Sequence, residues 1–458
     1  MQRLPSTGSD LITAIAAALT VGAVAAFAAT GLTFSDAADV AVHPATMAFL
    51  LGLITIPLIR WAVRGDHVLF RIVLGGMVAK CLGTYLRFAI TADTGDNRRY
   101  DSAGTKIAGW LSDDFVLPQN LPESFGDTGT DWLSYMVGWL YYFTGPNRVS
   151  ACVVFTFLSF VGTLFFYRAA ASAVPELDRR RYALLLFYLP SLLFWPSSIG
   201  KESWMIFFLG LAALGGSLVV QHHLSVWHLG AALAGIAMAA RIRPHMAALM
   251  VVALVAASIW PSRSQGRRGQ QIIVTALGFA LISVAMGQVA EYFKADRVEF
   301  NTLLDFTQER TAGGGSQFTP IRITGPENLV QGAVSVIFRP FLTEATNLLQ
   351  VLGSIESLAM MALAAQSWKR IRRVPRLFLT NAYVRFSVIF TMGFVVAFSV
   401  ISNFGILTRQ RAQLWPILLV LFALAPANAT GSGTQAKDED TAGGTDDTTD
   451  AVPASITT

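Results

Sequence analysis

Apolar runs long enough to cross a bilayer recur along most of the chain, and no other feature restricts the fold so severely. A hydrocarbon core of roughly 30 Å takes about 20 helical residues. Backbone polar groups inside it must bond internally, which leaves helices or closed barrels. Runs such as LITAIAAALTVGAVAAFAATG, Leu11 to Gly31, are continuously apolar rather than alternating, so helices are the elements that fit. Hydropathy predicts twelve spans, at about 11–31, 45–63, 68–90, 149–167, 182–196, 203–221, 225–240, 244–260, 271–290, 349–366, 383–402 and 412–426. The first run is longer than a signal-peptide core and only one Arg precedes it, so it is read as a retained span. With 53% hydrophobic and 14% charged residues among 458, the expectation is an all-α polytopic membrane protein of about 12 transmembrane helices.

The net charge of +5 sits mainly in short basic clusters between the runs, a pattern of membrane topology rather than of nucleic-acid binding. With the N-terminus in the cytoplasm, the loops Arg60–Arg64, Arg168–Arg181, Gln221–His223, Arg263–Arg268 and Lys369–Arg376 face inward. All but the short histidine loop are rich in arginine. The outer side then receives 91–148, Ser197–Glu202, Arg241–His245, 291–348 and Asn403–Arg411. Lys201, Arg241, Arg243, Arg409 and Arg411 lie there against the positive-inside bias, and anion binding is the chemistry that accounts for them. Residues 1–428 are therefore expected to form one transmembrane domain with amphipathic helices in the outer loops 91–148 and 291–348. The Gly-, Thr- and Asp-rich piece 429–458 reads as a disordered cytoplasmic tail.

The most informative polar stretch is TADTGDNRRYDSAGTKIAGW, Thr91 to Trp110. A helix starting near Asp93 would align Asp93, Asp96 and Tyr100 on one face. A carboxylate held at a membrane surface beside an aromatic ring suits a general base for an acceptor hydroxyl. An ordinary loop whose acidic residues cap a surface helix accounts for the same residues. DWLSYMVGWLYYF, Asp131 to Phe143, is too short for a span and reads as an interfacial or re-entrant helix with Trp132, Tyr135, Trp139 and Tyr142 at headgroup depth. In FYLPSLLFWPSSIGKESW, Phe187 to Trp204, two prolines and a glycine interrupt the run before Lys201 and Glu202, where an ammonium meets a helix N-terminus. A plain outer turn explains that stretch equally well. The Gly-rich TAGGGSQ after Arg310 reads as a hinge, so the 291–330 loop is expected to close over the acceptor. Lys80 and Glu356 sit deep in predicted spans and are expected to pair with each other.

Several chemistries lack their residues. Cys81 and Cys152 lie inside apolar runs, and the six histidines form no H-E-x-x-H or H-x-x-E-H arrangement. G-x-S-x-G and Walker A motifs are absent, so neither a serine hydrolase nor a P-loop enzyme is expected. No metal site is predicted. The cofactor class stays open, with a divalent cation beside Asp93 as one candidate.

The segment GDNRRYDSAGTKIA, Gly95 to Ala108, is similar to the acidic-then-Tyr pattern on the first large outer loop of GT-C class integral membrane glycosyltransferases, in particular bacterial relatives of protein mannosyltransferases. FWPSSIGKES, IFRPFLTEATN and NFGILTRQRAQLWP resemble stretches of polysaccharide-cluster membrane proteins, and GTDWLSY, Gly129 to Tyr135, resembles the Asp-containing loop of exopolysaccharide polymerases. Here the acidic loop follows the third span, whereas in the GT-C class it follows the first. The resemblance implies transfer of a sugar from a polyprenyl-phosphate donor to a glycan, lipid or protein acceptor on the outer face of the bacterial cytoplasmic membrane, with inversion. It makes Asp96 the base, Asp93 its helper and Asp131 the rival. Lys201, Arg409, Arg411, Arg241 and Arg243 become donor-phosphate ligands, and Tyr100, Asp101 and Glu202 acceptor or sugar ligands. A polysaccharide polymerase acting on lipid-linked units, or a transporter or flippase for lipid-linked saccharides, are the alternatives. Membrane lipids are the surroundings in every case, and no nucleic acid is involved.

Overall fold

The structure of the chain, a computed structural model, describes residues 42–91, 96–114, 129–221, 225–259, parts of 275–287, 300–311 and most of 313–426. The predicted span 11–31, most of 271–290, and the predicted tail 429–458 lie outside the described residues, as does Asp93. The chain divides into a large unit, Met1–Leu424, and a C-terminal piece, Ala425–Thr458. Among the described residues the large unit is helical, with only isolated β-bridges.

In chain order come α1 (Pro44–Val63), α2 (His67–Thr91), α3 (Asp96–Asp114), α4 (Gly129–Thr144) and α5 (Arg148–Ala173). They are followed by α6 (Arg179–Tyr188), α7 (Pro190–Phe194), α8 (Lys201–Gln221), α9 (Val226–Ile242) and α10 (Pro244–Ile259). The last third holds α11 (Phe300–Thr311), α12 (Leu329–Phe338), α13 (Leu348–Gln366), α14 (Ala382–Phe398) and α15 (Phe404–Phe422). Five described helices, α1, α2, α5, α8 and α13, are long and apolar enough to cross a membrane. A sixth arises if Trp368–Thr380 and α14, bent by 111° at their junction, count as one span. The protein is membrane-embedded: α1 exposes Leu50, Leu53 and Ile54, and α13 exposes Leu348, Leu352, Ile355 and Leu358, apolar rows that water would not tolerate.

Helix starts follow short polar side chains. Asp66, Asn147, Asp178, Asn347, Asn381 and Asn403 each accept backbone N–H bonds from the first turn they precede, satisfying donors the helix leaves open. Glycines set the closest helix approaches. A Cβ on Gly162 of α5 would lie 2.4 Å from the Ile206 carbonyl oxygen of α8, and one on Gly210 would lie 2.3 Å from the Gly162 oxygen. Small residues thus let these two backbones touch, the usual packing where lipid removes the hydrophobic drive between helices.

The predicted span 182–196 is instead a broken element. Pro190 and Pro196 interrupt it as α6, α7 and an unwound stretch before α8, because proline lacks the N–H and restricts its predecessor. Residues 196–200 are all buried, so the freed carbonyls need partners. Side chains supply them one after another. Lys80 donates to the Leu192 oxygen, Ser197 to Leu193, Arg87 to Phe194, Ser159 to Pro196 and Ser203 to Ser198. On the other side Glu356 accepts from the Ser191 N–H at 2.7 Å and from its hydroxyl. Lys80 and Glu356 therefore do not pair with each other, as their depth suggested; each binds backbone at the same break, on adjacent residues.

Outside the spans, α3 and α4 form a helical hairpin. Gly104 faces Val137 and Gly138 faces Ile107, reciprocal contacts with no room for a Cβ, and the Tyr141 hydroxyl donates to Asp101 at 2.6 Å. Helix α4 is the short aromatic segment predicted at 131–143. Its Trp132, Tyr135, Trp139 and Tyr142 rings touch in succession, with centroids 5.8–6.2 Å apart. The predicted hinge is fastened along its length: Ser402 N–H donates to the Thr311 hydroxyl, the Asn403 amide to Gly313, Phe404 N–H to Ser316, and Phe318 N–H to Ser402.

Candidate active site

Helix α3 is described from Asp96 onward, Asp93 lying outside the described residues, and its first turns carry Asp96, Arg99 and Tyr100 on neighbouring faces. The unwound stretch directs the start of α8, with Lys201 and Glu202, toward the same place. There the two segments meet Thr130 of α4, Arg243 at the α9–α10 junction, and Ile406, Arg409 and Gln410 of α15 around a cavity of about 180 Å³. The N-terminal ends of α3, α4 and α8 supply Asp96, Thr130 and Lys201 to its lining, and helix N-termini favour negative charge. Gly129, at φ +67°, opens α4 in the left-handed region that favours glycine; a Cβ there would stand 3.9 Å from Lys201 Nζ.

Two ion pairs frame the cavity, and they differ in character. Arg243 Nη2 donates to Glu202 Oε1 at 3.1 Å with the side chains 9% and 7% exposed. Its buried Nη1 has no acceptor among the described residues. Breaking such a buried pair from one side is strongly destabilising, about 3–5 kcal/mol, because the surviving charge loses its partner. Arg409 Nη1 donates to Asp96 Oδ2 at 3.2 Å with the side chains 38% and 67% exposed, and an open pair of this kind is worth roughly 0–1 kcal/mol. An entering anion can therefore draw Arg409 away from Asp96 at little cost. Beneath it, Trp195 lies 5.4 Å from the Arg409 guanidinium and 5.6 Å from that of Arg87.

Tyr100 is 2% exposed. Burial first, then the nearby Asp96 and Glu202 charges, push its phenol well above the ordinary tyrosine range, so it remains a neutral hydroxyl. Tyr141 is raised in the same direction by burial and by the Asp101 carboxylate it binds.

Six residues singled out in the sequence thus meet in one cavity: Asp96, Tyr100, Lys201, Glu202, Arg243 and Arg409. Others do not line it. Arg411 is two positions beyond Arg409, on the far side of α15, where it is buried and donates to the Ile337 carbonyl. Arg241 is exposed and stacks 5.2 Å from the Trp132 ring. Asp101 is committed to Tyr141, and Asp131 stands one residue past the lining Thr130. Glu202 contacts Arg243 rather than presenting an open carboxylate. Arg99, Thr130, Ile406 and Gln410 were not predicted; Arg99 was legible as the i+3 neighbour of Asp96 on the α3 face, whereas the other three carry no signal of their own.

Among the described residues no group of three or more His, Cys, Asp or Glu side chains is placed to hold a metal ion. What the arrangement offers is a partly exposed carboxylate beside four cations, Arg99, Lys201, Arg243 and Arg409, with a neutral phenol at its wall. That set can bind a phosphorylated group and take a proton from a second reactant. No protein-family model matches the chain, and no curated protein or solved structure is significantly similar to it.

Proposed function

We infer that the protein is a membrane glycosyltransferase of about twelve spans that moves a sugar from a phosphate-linked polyprenyl donor to an acceptor on the extracytoplasmic side. The observation that carries this reading is the meeting of Asp96 with Arg409, Lys201 and Arg243 at one cavity, at the N-terminal end of the long apolar helix α8. Asp96 deprotonates the acceptor hydroxyl, whose oxygen then attacks the anomeric carbon. The bond to the donor phosphate breaks with its electrons staying on phosphate, so a single displacement inverts the anomeric centre. Arg409, Lys201 and Arg243 stabilise the charge that grows on the departing group, aided by helix termini fixed before the reaction. Tyr100 donates a hydrogen bond to the sugar or acceptor.

A polymerase acting on lipid-linked oligosaccharides is a second reading, favoured by the row of aromatic rings on α4 that starts beside Thr130 and suits stacking against successive sugars. The test is transfer of radiolabelled sugar from polyprenyl-phosphate donors by purified protein in lipid, with the anomeric configuration of the product read by NMR. An inverted product supports the mechanism, and a retained one contradicts it. Elongation of preassembled units without single-sugar transfer would select the polymerase.

A further inference from the structure

The cavity holds more positive charge than a single diester phosphate needs. Arg99, Lys201, Arg243 and Arg409 face Asp96 and Glu202 there, leaving an excess of two positive charges. Each phosphate in a diester linkage carries about one negative charge, so two linked phosphates match that excess and one does not. The hydrogen-bond donors point the same way. Arg243, 7% exposed, has given Nη2 to Glu202, and its buried Nη1 has no acceptor among the described residues. Arg409 has given Nη1 to Asp96, and its buried Nε likewise has none. These two unsatisfied guanidinium donors come from separate elements, the α9–α10 junction and α15, and a buried donor without a partner is costly enough to mark where a ligand oxygen belongs.

We propose that the cavity binds a diphosphate, so that the sugar is joined to its lipid by two phosphates rather than one. The proposal rests on glycosyl transfer at this cavity. In the step, the acceptor oxygen bonds to the anomeric carbon, the bond from that carbon to the nearer phosphate oxygen breaks, and its electron pair stays on the lipid diphosphate. The acceptor proton passes to the Asp96 carboxylate and from there to water. Arg409, drawn off Asp96 by the donor, meets the additional negative charge on the leaving diphosphate while Asp96 is released to act as base.

The experiment is calorimetric titration of the full-length protein in lipid nanodiscs with symmetric dimethyl diphosphate and dimethyl phosphate, followed by competition between the methyl esters of undecaprenyl diphosphate and undecaprenyl phosphate, so that every probe carries one charge per phosphate as a diester linkage does. The expected result is binding of the diphosphate in each pair at least ~10-fold tighter. Arg409→Gln, a change at a partly exposed site, should narrow that ratio several-fold without loss of fold. Arg243→Lys should keep part of it, because a charge remains beside Glu202. Equal binding, or tighter binding of the monophosphates, would overturn the diphosphate assignment and leave a single-phosphate transferase standing. Failure of all four probes to bind would overturn the anion-binding reading of the cavity as well.

Discussion

Arg409 and Arg411 show how much two residues of separation decide on a helix. In sequence they form one basic pair at the end of an apolar run; at 3.6 residues per turn they point to different sides of α15. Arg409 meets Asp96 at the cavity, and Arg411 closes onto the Ile337 carbonyl inside the helical packing. Arg409→Gln should therefore lower sugar transfer by more than ~10-fold with an almost unchanged unfolding midpoint, an effect typical of a lost charge-stabilising donor. Arg411→Gln should lower the midpoint by leaving a buried carbonyl unpaired, a loss of about 1–3 kcal/mol. Transfer rates and thermal unfolding in detergent measure both, and matching behaviour of the two variants would contradict the separation. Tyr100 offers a pH prediction. Its raised phenol stays neutral in the folded chain while an unfolded tyrosine ionises near about pH 10. The stabilisation is thus fully present below that pH and is lost as pH rises toward the raised value. Unfolding midpoints of wild type should fall above about pH 10, and Tyr100→Phe should reduce that fall. The residue types at the site were legible from charge placed against the positive-inside bias. Their sorting was not, because it depends on helix phase.

Among the elements, the interrupted run from α6 to α8 does most to place the site. Pro190 and Pro196 made the break readable in sequence, but not its repair, since Lys80 and Arg87 come from more than a hundred residues earlier in the chain. Two deep charges looked like partners for each other because the sequence displays no backbone carbonyl in need. Glycine contacts were equally hidden. Gly83 of α2 meets the Leu193 carbonyl, where a Cβ would stand 2.2 Å away, and Gly162 meets α8 in the same manner. Gly83→Val and Gly162→Leu should each reduce the yield of folded protein on size-exclusion chromatography, because the obstacle is backbone and cannot move aside. Gly109→Ala in α3 has open space around it and should raise helix stability by about 0.5–1 kcal/mol. A destabilised Gly109→Ala variant would contradict the described environment of α3.

At the scale of the whole molecule, apolar helices hold a polar cavity built from segments spread between Asp96 and Gln410. Hydropathy made the membrane-embedded, all-helical class legible, since continuous apolar runs admit few other structures. It gave no means of choosing Asp96 over Asp131, because both precede apolar or amphipathic segments of the same outer loop. The fold distinguishes them: Asp96 lines the cavity opposite Lys201 and Arg243, and Asp131 does not. The most direct measurement is therefore single-turnover sugar transfer by reconstituted protein, comparing wild type with Asp96→Asn and Asp131→Asn at equal amounts of folded protein. Loss of a general base predicts a fall of about 10²–10⁴-fold in Asp96→Asn, with Asp131→Asn close to wild type. Full activity in Asp96→Asn, or loss in Asp131→Asn alone, would contradict the assignment of the reaction to this cavity.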